Sequence, residues 1–407
     1  MPMGKGFAIT SNLNLRDILL NGYEKHTRRP DDEDEPSTKR RKLFALPKLK
    51  IAAITNDTVA TLASLAYSVK SLPNSRVAMG LIVGTGCNAT IPMKLTDLHE
   101  SKAKQVRSSC PDAKETVVNT EWTISGAAAP LKELNITTKW DEELDKACAR
   151  PGFQPFEYMT GGRYIGELIR LVLFDYLTNV VGLSKKALPA NIIQEYALTT
   201  AYISERVARA RSDEILADEL RRSLPPPESS EWNWDASSAG AFRKIARVVL
   251  TRSAGLIAAA VVGLLACTRE IELKADSTSN SPQPSHVGSP EYNGSVGMQA
   301  EPNSTIIPTL VPQAANPSKS GGPLGPIIPV LSPTPPDWQS GPEELVVAYT
   351  GGIIQNYPNF KETCQQYIDR LIMRTGPQKS GKSVFLREAS DGGIIGAGVL
   401  AGMVVSG

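Results

Sequence analysis

A chain of 407 residues, 41% apolar and 21% charged, is long enough for one large or two ordinary domains with buried cores and reads as a soluble globular protein. Its 44 Lys and Arg nearly balance its 42 Asp and Glu, leaving a formal net charge of +2, which argues against nucleic acid or an anionic membrane as partner and for a small neutral or anionic ligand. Five scattered cysteines, never spaced as CxxC, argue against a disulfide framework or a zinc site, and residues 1–30 lack an apolar signal-peptide core; both point to the cytoplasm, or to the nucleus.

In chain order, Asn14 is a cap for a helix over 15–27. Residues 28–43 form a charged, exposed loop, in which Lys39-Arg40-Arg41-Lys42 reads either as solvated chain or as a nuclear import signal. From Lys48 the pattern turns α/β: a short buried strand over 50–55, a helix over 58–69 and a second buried strand over 77–83 leading into a hairpin. Helices are predicted over 140–149, 156–176, 199–224 and 241–272, with Pro225-Pro226-Pro227 separating the last two. The uncharged stretch 254–267 is shorter than the ~20 residues a spanning helix needs, so a core helix is expected and no membrane span. Residues 275–341 collapse to Ser, Pro, Gly and Asn and read as a disordered insertion. A strand over 344–350, a helix over 359–374, a strand over 383–389 and a glycine-rich end close the chain.

Asn56-Asp57-Thr58 stands at the carboxyl end of a strand and the start of a helix, where α/β sheets hold ligands. A carboxylate there can accept the proton of a hydroxyl attacking a phosphoryl group, or either residue can simply cap the helix. Gly84-Thr85-Gly86 follows the second strand, and glycines without Cβ let backbone amides approach phosphate oxygens; a bare glycine hairpin turn is the alternative. Glu121 and Glu157 can each accept paired hydroxyl hydrogen bonds, although lone glutamates are ordinarily surface residues. Gly376 to Ser383 fits the P-loop pattern letter for letter, but a helix precedes it and a strand follows, the reverse of what a P-loop needs, so a plain loop is expected.

These residues, in this order, resemble the hexokinase family in a divergent, fungal-type form. Gly4-Lys5-Gly6-Phe7 resembles the end of the family's WTKGF segment, Asn56-Asp57-Thr58-Val59 its NDTVGT element, GTGCNA at Gly84–Ala89 its second phosphate motif, and NTEW and the RPGFQPFEYMTGGRY run its two sugar-binding glutamates. The resemblance implies an actin-like ATPase (hexokinase/ribonuclease H-like) α/β fold. Residues 1–55 would be a remnant of the smaller lobe and 56–407 the larger lobe, interrupted at 275–341. It implies ATP with Mg²⁺ and a glucose-like hexose as ligands and Asp57 as general base. Lys5, Asn56, Asp57, Asn88, Glu121 and Glu157 would lie on the sugar, Gly84, Thr85 and Gly86 on the phosphates, and Thr350, Gly351 and Gly352 at a degenerate adenosine element. The family's DLGGTNxR hairpin and SFP segment occur nowhere in this sequence, the adenosine DGS has become Thr350-Gly351-Gly352, and Ile394 replaces a flexible glycine in the closing DGSGxGAA. From these departures the chain is expected to be N-terminally truncated and slow in turnover, with a catalytically impaired sugar sensor as the alternative to an enzyme.

Overall fold

The computed structural model of the chain describes residues 14–27, 46–69, 74–122, 128–273, 343–374, 376, 378 and 381–406. Lys5, the basic run Lys39 to Lys42 and the insertion 275–341 lie outside them. Asn14 accepts a hydrogen bond from the Arg16 amide at 3.0 Å and starts α1 (Leu15–Glu24). The chain then runs through α2 (Asp57–Val69), β1 (Ser75–Val83), β2 (Cys87–Lys94), α3 (Glu100–Ser109), β3 (Glu115–Asn119), α4 (Ala128–Glu133), α5 (Lys139–Ala147), α6 (Pro155–Thr160) and α7 (Gly162–Asp175). After α8 (Ala190–Ile193), α9 (Thr200–Tyr202), α10 (Asp213–Ser223) and α11 (Ala236–Cys267) come β4 (Glu344–Thr350), α12 (Gly352–Asn356), α13 (Phe360–Arg374), β5 (Ser383–Glu388) and α14 (Gly392–Ser406).

One mixed sheet organises these elements, with strand order β3-β2-β1-β4-β5. β1, β2 and β3 form an antiparallel meander, while β4 and β5 run parallel to β1. β1 and β4 are central and read as near-continuous aliphatic runs because both of their faces are covered. On one face Val77, Val346 and Ala348 pack against Leu65 of α2. On the other, Met79, Leu81, Leu345 and Val347 join the large core built with α7, α11 and α13. The protein is therefore a three-layer α/β fold whose sheet places the ends of β1 and β4 side by side.

α11 shows why its sequence was ambiguous. An Asp235/Ser238 capping box starts it, and Phe242, Ala246, Leu250, Ala254, Ile257, Val261 and Leu265 recur at helical spacing along one buried stripe. It extends to 32 residues, and among the described residues it is the one helix long and apolar enough to cross a membrane, but half of its most apolar window is buried inside the fold. Burial of that stripe against the sheet and α13 fits a core helix.

Three expectations change, and one segment left without an element gains one. Residues 50–55 carry no strand: Lys50 is exposed, 51–55 are half-buried and no described strand pairs with them, and a strand exists only where a neighbour's backbone takes its hydrogen bonds. The helix expected over 156–176 is interrupted at Gly161, which is extended at φ −86°, ψ 136°, and ends in a π-helical turn over 176–180. The helix expected over 199–224 is three pieces: α9, a π-helical turn over 203–207, and α10, which starts afresh because the Ser212 side chain accepts from the Ile215 amide. The glycine-rich end is the helix α14, and its glycines serve packing: a Cβ on Gly396 would fall 1.8 Å from the Ala60 carbonyl oxygen of α2.

An ion cluster closes the end of the sheet where β1, β4 and β5 begin. Arg76 donates both terminal nitrogens to Glu270, at 2.9 and 2.6 Å, and its Nε to Glu343 at 2.8 Å. Lys382 stands 3.3 Å from Glu343 and donates to the Glu270 carbonyl at 3.2 Å, so the lysine of the P-loop look-alike serves structure, and the strand β5 follows it as expected. Burial pushes the Glu270 and Glu343 carboxyls up, but the hydrogen bonds and charge of Arg76, with the charge of Lys382, outweigh it and hold both below the usual range. Depressed carboxyls of this kind contribute stability at neutral pH that is lost as acid protonates them.

Two outcomes follow from this packing. Gly396→Ala is expected to destabilise the chain by about 1–3 kcal/mol, as overpacking does. Gly398→Ala, where a Cβ meets nothing within 4 Å, should instead stabilise by up to about 1 kcal/mol through helix propensity. Urea denaturation of the two variants reads the difference, and equal behaviour would contradict the α14–α2 contact. Because Arg76 pins Glu270 and Glu343 on either side of the insertion, replacing residues 275–341 by a short Gly/Ser linker should move the thermal midpoint by no more than about 2–4 °C. A much larger fall would mean that aliphatic clusters such as Ile327-Ile328 dock on the core.

Candidate active site

The site is assembled from the start of α2. The Asn56 carbonyl accepts from the Ala60 amide at 3.0 Å, and its side-chain oxygen accepts the Thr58 amide at 2.9 Å and the Thr58 hydroxyl at 2.5 Å. Asn56 therefore caps the helix with its oxygen, which leaves its NH₂ to face outward as a donor. Thr58 has a single hydroxyl proton, spent on Asn56, so its contact with the buried Thr90 hydroxyl is one in which Thr90 donates. That bond ties the first turn of α2 to β2. Asp57 follows Asn56, exposed, accepting from the Thr58 amide at 3.0 Å, with its carboxylate in the first turn, where the helix dipole favours negative charge.

Alternate residues of a strand share a face, so Asn88 stands on the same side of β2 as Thr90. Its amide nitrogen donates to Asn119 Oδ1 at 2.7 Å and to Glu121 Oε1 at 3.3 Å, while its oxygen accepts the Ala89 amide at 2.8 Å. Asn119 donates in turn to Glu121 Oε1 at 2.9 Å. Glu121 is held at φ +43°, and the preceding Thr120 is fixed by two bonds to the Ala89 carbonyl, from its amide at 3.0 Å and its hydroxyl at 2.8 Å. Glu157, 1% exposed on α6, accepts from the Cys87 amide at 3.3 Å, one residue from Asn88. Burial, with the charge of Glu157 behind it, pushes the neighbouring Tyr164 hydroxyl up to about 12, so it stays protonated at neutral pH.

The structure thus gathers Asn56, Asp57, Asn88, Glu121 and Glu157 around the first turn of α2 and the start of β2, although a hundred residues of chain separate them. The result is a face that alternates amide donors with carboxylate acceptors. Residues given no role of their own from sequence hold it together: Thr58, Thr90 and Asn119. For Asn119 a signal existed, since it precedes Glu121 by two residues at the end of β3.

Beside this face the turn Gly84-Thr85-Gly86 is gripped by backbone from two directions. The Gly84 amide donates to the Gly86 carbonyl at 2.9 Å, closing the turn with Thr85 exposed at its tip. The first amides of α7, from Gly162 and Arg163, donate to the Gly84 and Thr85 carbonyls at 2.7 and 3.0 Å, which is why the chain breaks helix at Gly161 to start again. Gly351, at φ +122°, lies against the turn so closely that a Cβ would fall 2.5 Å from Val83 and 2.8 Å from the Gly84 nitrogen. Thr350 pairs with Ile82, so the two glycine elements predicted for the nucleotide, 84–86 and 350–352, meet along one seam. Arg163 adds an exposed cation beside it, with its guanidinium 5.6 Å above the Tyr196 ring.

The seam carries no side chain at Gly84, Gly86, Gly351 or Gly352 and exposes the Thr85 hydroxyl at its tip, with the Arg163 cation beside it, so the residues present fit the polyphosphate of ATP. Among the described residues no three His, Cys, Asp or Glu gather to hold a metal ion alone. A Mg²⁺ ion at this seam would accordingly be held chiefly by phosphate oxygens. A separate cleft of about 1020 Å³ opens between α11 and α13, lined by Arg243, Arg247 and Tyr357, and contains none of the gathered residues.

A family model described as hexokinase matches residues 78–302 and 329–403, and a second hexokinase model matches residues 1–67. Hexokinase-2 of Solanum tuberosum is 24% identical over 358 residues, covering 87% of this chain and 53% of that protein. Hexokinase-1 of Nicotiana tabacum is 30% identical over 219 residues, 53% of this chain and 40% of that protein. The chain spans about half or less of the length of these curated relatives. Among solved structures, the hexokinase of Schistosoma mansoni complexed with glucose superposes with a TM-score of 0.55 at 21% identity, covering 86% of this chain and 57% of that one, a likeness of actin-like ATPase fold. With one family model covering more than half of its residues, the chain belongs to the hexokinase family.

Proposed function

We propose that this chain carries the phosphoryl-transfer site of a hexose kinase, which passes the γ-phosphoryl group of Mg²⁺-ATP to the primary hydroxyl of a glucose-like sugar. The observation that supports it is the adjacency of the amide–carboxylate face to the glycine seam, joined where β1 turns into β2. A polyol needs both donors and acceptors, and the face supplies the Asn56 NH₂ as donor and the Asn88 side-chain oxygen with the carboxylates of Glu121 and Glu157 as acceptors. The hexokinase solved with glucose supports the choice of sugar class.

In this reading Asp57 takes the proton of the attacking hydroxyl as its oxygen forms a bond to the γ-phosphorus and the bond to the β-phosphate oxygen breaks, releasing ADP. Glu121 and Glu157 orient the ring by accepting from its other hydroxyls. The Thr85 hydroxyl and the seam amides face the phosphates, and Arg163 supplies positive charge at their edge. Bound Mg²⁺ would neutralise phosphate charge and orient the leaving group. Lys5, by its place in the resembling segment, is proposed to contact the sugar.

Asp57→Ala is expected to lower the rate of ATP-dependent glucose or fructose phosphorylation by about 10²- to 10⁴-fold in a coupled ADP assay, while changing glucose affinity little, since a general base acts on the chemical step. Thr85→Val, at an exposed tip, should leave the thermal midpoint unchanged and raise KM for ATP but not for glucose. Turnover that survives Asp57→Ala would contradict the assignment. Glucose binding with no turnover in the unmodified chain would favour the sugar-sensing alternative.

A further inference from the structure

We infer that Asn119 is a positioning residue of the sugar site: it fixes the orientation of the Asn88 amide and which oxygen of the Glu121 carboxylate faces the ligand. The inference rests on the proposed sugar-binding reading of Asn88 and Glu121, and goes beyond it by assigning the group that sets their orientation.

An asparagine amide can present oxygen or nitrogen to a ligand at nearly equal steric cost, so the choice falls to its neighbours. At Asn88 the choice is made twice. Its oxygen is taken by the Ala89 amide at 2.8 Å, and its nitrogen is taken by Asn119 Oδ1 at 2.7 Å. Asn119 cannot itself turn round, because its other end donates to Glu121 Oε1 at 2.9 Å, and a carboxylate accepts but does not donate. The direction of the whole chain, Asn88 to Asn119 to Glu121, is therefore set by the charge at its end.

The same bonds sort the two oxygens of Glu121. Oε1 accepts from both Asn119 and Asn88, at 2.9 and 3.3 Å, which leaves Oε2 for a sugar hydroxyl. Glu121 lies at φ +43°, just beyond the end of β3, where the ladder no longer holds it, so its carboxylate depends on these side-chain bonds for a fixed position. Asn119 is also the ladder partner of Thr90, whose hydroxyl donates to Thr58. One residue thus stands between the Asn88–Glu121 pair and the strand position that anchors Asn56.

The test uses the full chain and glucose as probe, with affinity read by calorimetry and KM by the coupled assay. Asn119→Ala should weaken glucose about 10-fold, the loss of one to two hydrogen bonds' worth of orientation, and leave KM for ATP unchanged. Asn119→Asp gives the readout that a merely structural role would not move. When ionised, Asp at this position still accepts from Asn88 but sets an anion against Glu121; when protonated, it donates to Glu121 as the amide did. Glucose affinity of Asn119→Asp should therefore rise about 10-fold or more as pH falls from about 8 to about 5.5, while the unmodified chain, which carries the same Asp57, Glu121 and Glu157 nearby, stays nearly flat. Because that comparison is made within one variant, it holds even if Asn119→Ala folds poorly. An Asn119→Asp affinity that does not change with pH would overturn the inference and leave the sugar-site reading standing, provided Glu121→Ala still abolishes binding. No glucose binding by the unmodified chain would overturn both.

Discussion

The arrangement depends on how the turn at Gly84–Gly86 is held. Two amides from the start of α7 donate to its carbonyls, and Gly351 presses on its other side with a backbone that no Cβ could share. Those contacts fix the end of β1, and with it the start of β2, to the amino end of one helix and the carboxyl end of the neighbouring parallel strand. Every gathered polar residue is then positioned by its distance in sequence from that turn: Cys87 meets Glu157, Asn88 meets Asn119 and Glu121, and Thr90 meets Thr58. The break at Gly161 follows from the same constraint, since a continuous helix over 156–176 would have no free amides to offer the turn.

The layers on either side make that turn rigid. α2 lies on the sheet between β1 and α14, and the absence of a side chain at Gly396 brings α14 against the turn of α2 that carries Ala60, three residues from Asp57. The proposed base is therefore exposed at its carboxylate but supported at its backbone, and its neighbour Asn56 is committed by its cap bonds to presenting NH₂. The Arg76–Glu270–Glu343–Lys382 cluster sits at the opposite end of the strands, away from this face, and closes the chain across the point where the insertion leaves and returns.

Much of this was legible in sequence where local chemistry and tertiary demand agree. Aliphatic runs gave β1 and β4, helical spacing gave α2 and α13, and the order of NDT, GTG, NTEW and the Glu157 segment pointed to one cleft. What was hidden is what neighbours impose. Residues 50–55 have strand composition but no described partner; the 199–224 run has helical spacing but contains Ser212-Asp213-Glu214, a start signal that outweighs continuity. The terminal glycines gave no helix signal because propensity disfavours them in helices, yet close approach to Ala60 requires one at position 396. Asn119 stood in the NTEW motif beside Glu121, but its role is visible only once β2 and β3 are paired.

The central claim is that the amide–carboxylate face and the glycine seam are two halves of one site, and a crystal structure of the chain with glucose and a non-hydrolysable ATP analogue tests it most directly. The account predicts glucose within hydrogen-bond distance of Asn56, Asp57, Asn88, Glu121 and Glu157, with the terminal phosphate against Gly84–Gly86 and pointing at the sugar's primary hydroxyl. Sugar bound elsewhere, such as in the cleft between α11 and α13, or a nucleotide lying away from the turn, would contradict it.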